Sequence, residues 1–97
     1  MTPEQILTKA AELVSGERAT QHGDYVAQFE RTAELWSVYL KVEVTAQQVA
    51  FCNALQKVSR DEVGAYNEDD GYDAAAYTGL AGAFSYLRSK VPGKTDA

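Results

Sequence analysis

Val26, Phe29, Ala33, Trp36 and Leu40 recur at alternating steps of three and four. Only an α-helix brings such positions onto one side, here as an apolar stripe about 100° wide. The same period returns three more times. Thr2 can cap a helix, Pro3 suits its first position, and Gln5 completes a capping box. Ile6, Leu7, Ala10, Leu13 and Val14 follow at helical spacing until Gly16, which predicts a helix over 3–15. Thr45 and Gln48 form a second capping box ahead of a helix over about 46–61. Val49, Cys52, Leu55 and Val58, with Phe51 beside them, read as its apolar side. Asp70 is placed to cap a fourth helix whose buried face would be Tyr72, Ala76, Leu80, Phe84 and Leu87, with Pro92-Gly93 as the stop. Val38 to Val44 holds β-forming residues, but the run is short, lacks a partner of similar pattern and overlaps the second helix. The expected fold is therefore all-α, a compact four-helix bundle with mostly antiparallel neighbours. A single helical domain over 1–92 and a frayed tail over 93–97 complete the reading.

Charge and rare residues narrow the function. The formal net charge is −5, and a chain that releases counterions from nucleic-acid phosphates needs a basic surface, so no nucleic-acid partner is expected. One cysteine and one histidine exclude an internal disulfide and the usual structural zinc sites. No apolar run approaches the ~18–20 residues of a membrane span, and no signal pattern opens the chain, so a cytoplasmic protein is expected. Nucleophile-elbow, phosphate-loop, dinucleotide and zinc-protease motifs are all missing. Cys52 reads as a buried structural thiol. A chain of 97 residues has a thin core, and six tyrosines with Trp36 exceed what it readily covers, so a homo-oligomer, most simply a homodimer, is expected.

Three groups of residues could carry chemistry. Asp70 and Asp73 lie one helical turn apart, with Tyr77 a turn further, and two such carboxylates could share Mg2+ or Mn2+. Acidic residues in a first helical turn also complement the helix dipole without any metal. Lys57 and Arg60 are likewise one turn apart and could clamp a phosphate, or merely favour the C-terminal end of their helix. Arg18, His22, Gly23 and Asp24 fall in a glycine-flanked loop where a histidine beside backbone amides suits phosphate, although Asp24 can also cap the next helix. Glu30 and Glu34 border the second stripe as candidate metal ligands or a solvated edge. Between Asp61 and Asp73, 6 of the 14 carboxylates stand in 13 positions with no Lys or Arg, a density that needs solvent or a cation.

Taken in order, Gly-Glu-Arg at 16–18, His-Gly-Asp at 22–24, Leu-Trp-Ser-x-Tyr-Leu at 35–40, Lys57-x-x-Arg60 and Asp70-x-x-Asp73-x-x-x-Tyr77 form one pattern. It resembles a family of short helical proteins of tailed phages and prophages, catalogued as a domain of unknown function, over about residues 6–85. Such a protein would act in the host cytoplasm. Ala76 replaces a glycine common before the tyrosine in that family. More distantly the order is similar to the MazG-type all-α nucleotide pyrophosphohydrolases, which hold Mg2+ on carboxylates of neighbouring helices. That resemblance implies a MazG-like helix order, Asp70, Asp73, Glu30 and Glu34 as metal ligands, and Arg18, His22, Asp24, Lys57, Arg60 and Tyr77 around a nucleotide or other phosphorylated small molecule. The metal-ligand signature is incomplete, because Glu30 and Glu34 are four apart rather than three. Three functions follow as expectations: a phosphorylated-ligand binder, a Mg2+-dependent nucleoside triphosphate pyrophosphohydrolase, or a non-catalytic helical interaction module.

Overall fold

The structure, a computed structural model, describes residues 1–15 and 25–91. Four helices occupy them: α1 (Pro3–Leu13), α2 (Tyr25–Leu40), α3 (Ala46–Val63) and α4 (Glu68–Ser89), and no strand is present among the described residues. Both expected capping boxes form. The Thr2 and Thr45 hydroxyls accept from the Gln5 and Gln48 amides, and each glutamine side chain accepts in return from the cap residue's own amide. Each box thereby satisfies two donors that a helix start leaves open. The frayed tail expected over 93–97 and the loop bearing Arg18, His22 and Asp24 lie outside the described residues.

The stretch read as an alternative strand is instead the end of α2 and a turn. Lys41 takes a left-handed φ of 58°, which stops the helix, and the Ser37 hydroxyl accepts from the Val44 amide at 2.8 Å. These contacts deliver the chain to the Thr45 cap.

α3 and α4 form the most extensive pair, with α1 on α4 and α2 on α3. The α3–α4 pair is antiparallel with a steady register. Gln47 hydrogen-bonds Ser85, Lys57 pairs with Asp73, and Arg60 approaches Asp70. Between these rungs lie the buried alanines Ala50, Ala54, Ala76 and Ala81, whose short side chains let the two backbones close together. Among the described residues, Phe84 is the one aromatic that is buried. Tyr25 packs edge-on to it at 5.9 Å between ring centres and Phe29 lies tilted at 5.6 Å, so α2 crosses the seam through aromatic contact.

Two details differ from the sequence reading. α4 begins at Glu68 because Asn67, not Asp70, is its cap, which moves Asp70 into the first turn. In α3 the buried residues are Val49, Ala50 and Ala54, whereas Phe51, Cys52, Leu55 and Val58 are exposed. Cys52 is thus a surface thiol, because the close α3–α4 seam admits only the small side of the helix. Trp36 is half-buried on α2, and Leu87 is exposed at the far end of α4.

Candidate functional site

The end of α3 and the start of α4 are joined by only Gly64 to Asn67, so the polar residues of both ends must meet. Gly64 closes α3 by donating to the Arg60 carbonyl at 2.9 Å, and a Cβ there would stand 3.0 Å from that same oxygen. A larger residue there would need that carbonyl to give by a few tenths of an ångström. Asn67 then starts α4, its side chain accepting from the Asp69 amide at 3.0 Å. Glu68, Asp69 and Asp70 fill the first turn, where negative charge is favoured.

Across this junction Lys57 Nζ lies 3.1 Å from Asp73 Oδ2, with side chains 19% and 25% exposed. One turn on, Arg60 Nε stands 3.9 Å from Asp70 Oδ1. That is an electrostatic approach, too long for a hydrogen bond. The asymmetry matters, since the Arg60 side chain is 60% exposed while that of Asp70 is 3% exposed. Asp70 Oδ1 is buried and has no hydrogen-bond partner. Such an orphaned carboxylate oxygen is costly and calls for an explanation. Beside it opens a pocket of about 500 Å³ lined by Ser59, Arg60, Val63, Gly64, Asn67 and Asp70.

The structure therefore brings together Lys57, Arg60, Asp70 and Asp73 at one end of the α3–α4 seam. Tyr77 lies one turn further along α4, half-buried against a second hollow of about 210 Å³ that Phe29, Val49 and Asn53 also line. Asn53 escaped the sequence reading because it belongs to no motif; its one signal is that it precedes Lys57 by a single turn on the same side of α3. Glu34 is on the surface beside Arg31 at 3.4 Å, and Glu30 borders a separate hollow with Thr45, Phe84 and Arg88. Among the described residues no group of three or more His, Cys, Asp or Glu side chains is placed to hold a metal, so Glu30 and Glu34 do not join Asp70 and Asp73 in one ligand set.

Tyr72 marks the acidic rim. Its hydroxyl donates to Asp69 Oδ1, and this bond, with burial and the nearby carboxylates of Asp69, Glu68 and Asp73 adding to it, pushes the phenol up from its ordinary 10.0 to about 12. The hydrogen bond is the main cause, and the neighbouring carboxylates reinforce it.

These features define a small all-α protein with a charged junction and an orphaned buried carboxylate between its two longest helices. The chain belongs to the family described as Domain of unknown function (DUF6378), which its residues 5–85 match. It is 40% identical over 76 residues to the Gene 55 protein of Mycobacterium phage L5, covering 77% of this chain and 49% of that protein. To the Gene 55 protein of Mycobacterium phage D29 it is 36% identical over 76 residues, covering 78% of this chain and 50% of that protein. The chain spans about half the length of these curated relatives. No solved structure matches it significantly. Neither the family description nor the relatives' names mention MazG-type enzymes. Among the described residues no helix is long and apolar enough to cross a membrane.

Proposed function

We propose that this phage-type protein binds a nucleotide or other phosphorylated small molecule in the pocket between the end of α3 and the start of α4, with Mg2+ carried on the phosphate. The observation behind it is the buried Asp70 Oδ1 without a hydrogen-bond partner, 3.9 Å from an Arg60 guanidinium that is mostly exposed. A ligand for this pair must offer negative charge to Arg60 and a cation or donor to Asp70. A Mg2+–phosphate unit offers both. Mg2+ is held by one or two carboxylates plus ligand phosphates and water rather than by a full protein cage, which suits Asp70 with Asp73 close by. When bound, the ion would neutralise phosphate charge. Lys57 is tied to Asp73 one turn further along the seam. The family resemblance adds Arg18, His22 and Asp24 as further contacts and Tyr77 at the edge. The test is calorimetric titration of pyrophosphate and nucleoside triphosphates, with and without Mg2+, into the wild-type chain and into Asp70→Asn. Magnesium-dependent binding lost in the variant supports the reading.

A second reading, an interaction module that pairs with its own copy, draws on a different observation. Among the described residues, six of the eight buried apolar ones are alanines, while Leu35, Val38, Tyr39, Phe51 and Leu55 are each more than 40% exposed. So much large apolar surface on so small a core is characteristic of proteins that associate. Sedimentation equilibrium tests it, and the two readings are compatible.

A further inference from the structure

The hollow beside Tyr77 has a chemistry of its own. It is lined by Gln28, Phe29, Thr32, Val49, Asn53 and Tyr77, with a volume of about 210 Å³. Asn53 and Tyr77 are half-buried, and neither the Asn53 amide nor the Tyr77 hydroxyl hydrogen-bonds another described residue. Their polar atoms keep access to solvent, so both are open to hydrogen bonds from a ligand. A carboxamide presents a donor and an acceptor side by side, which matches the edge of a heterocycle carrying the complementary pair. The Phe29 ring and Val49 supply an apolar wall, and an aromatic side chain is a platform on which any base can stack.

Position along the helix links this hollow to the charged junction. Asn53, Lys57 and Arg60 fall at i, i+4 and i+7 on one side of α3, which spans about 10 Å at 1.5 Å per residue. The antiparallel register sets Tyr77, Asp73 and Asp70 opposite them, so the Lys57–Asp73 pair lies between the hollow and the Arg60–Asp70 pocket along the seam. We propose that the cleft of Phe29, Asn53 and Tyr77 is a nucleobase subsite, Asn53 reading the base edge while the phosphate end runs along α3 toward Arg60. This rests on the phosphorylated-ligand reading for its second half only, and it narrows that ligand to a nucleotide.

The experiment separates the two halves. Free adenosine, guanosine, cytidine and uridine, which carry no phosphate, are titrated into the labelled chain while the side-chain amide resonances of Asn53 are followed by NMR. At least one nucleoside shifts them saturably, and Asn53→Ala abolishes the accompanying shifts of the Phe29 and Tyr77 ring resonances without lowering the melting temperature by more than a few degrees. In parallel, Asn53→Ala lowers affinity for the corresponding triphosphate at least about tenfold, whereas pyrophosphate affinity is unchanged and Arg60→Ala weakens both. The subsite is overturned if no nucleoside moves the Asn53 resonances, or if Asn53→Ala binds the triphosphate as the wild type does. Loss of the phosphate reading looks different: pyrophosphate fails to bind while a nucleoside still moves Asn53.

Discussion

Lys57 Nζ and Asp73 Oδ2 are 3.1 Å apart across the α3–α4 seam, and both side chains are at least three-quarters removed from solvent. The pair sits one turn beyond the alanine contacts that set the spacing of the two helices. Its worth lies between that of exposed pairs, about 0–1 kcal/mol, and the 3–5 kcal/mol lost on breaking buried ones. Lys57→Ala and Asp73→Ala are each expected to destabilise by about 1–3 kcal/mol, and Lys57→Met with Asp73→Leu to recover most of that loss. A double-mutant cycle by urea unfolding measures the coupling, and additive losses would show that the two side chains do not depend on each other.

Lys41 holds a left-handed φ of 58°, a conformation that costs an L-residue roughly 1–2 kcal/mol and costs glycine little. Lys41→Gly should therefore stabilise the chain, although glycine also loses more freedom on folding. The net gain is expected to be up to about 1 kcal/mol, a rise of about 4–8 °C in melting temperature. An unchanged or lower midpoint would mean that the turn tolerates lysine without strain.

The helices and both capping boxes were legible because they depend on local spacing and local hydrogen bonds. The buried side of α3 was not. Hydrophobicity points to Val49, Cys52, Leu55 and Val58, but a seam built on close approach selects Ala50 and Ala54 and leaves Cys52, Leu55 and Val58 outside. Size, rather than apolarity, decides which face is buried there. The start of α4 moved because Asn67 competes with Asp70 for the cap, and an Asx side chain caps as well from either position. Within the candidate site, the facing of Lys57 and Arg60 on Asp73 and Asp70 follows from the short link, whereas the burial of Asp70 depends on how the helix ends pack, which no local spacing encodes.

Among the described residues, Tyr72 is the group whose titration departs from its ordinary value. Its folded value is raised to about 12 from 10.0, so the folded state holds its proton more tightly than the unfolded chain does. Whatever stability this contributes is fully present below pH 10 and is lost as the pH rises from about 10 through 12. Ultraviolet titration of tyrosinate should show one late-titrating component in the wild type that disappears in Tyr72→Phe. A wild-type curve without that component would contradict the Tyr72–Asp69 hydrogen bond.

The exposed apolar residues of α2 and α3 predict self-association. Sedimentation equilibrium at micromolar concentration should report about 21 kDa, twice the 10.6 kDa of one chain. Leu55→Asp and Tyr39→Asp place charge on surface residues that are 64% and 85% exposed, so each should leave the helical dichroism intact. At least one is expected to shift the equilibrium to monomer. A monomer in the wild type would remove the second reading.

The proposed site depends on Asp70, buried and lacking a hydrogen-bond partner beside Arg60. A ligand at 100 times its dissociation constant stabilises the folded state by about 2.7 kcal/mol. For a domain of this size that corresponds to a rise of about 10–20 °C in melting temperature. The direct measurement is a thermal-shift titration of nucleoside triphosphates and pyrophosphate with Mg2+, run on the wild type, Asp70→Asn and Arg60→Ala. A saturable rise is expected in the wild type and shifts of no more than a few degrees in both variants, whose unliganded midpoints stay within about 1 kcal/mol of the wild type. No rise in the wild type with any of these ligands, or an equal rise in all three proteins, would contradict the proposed site.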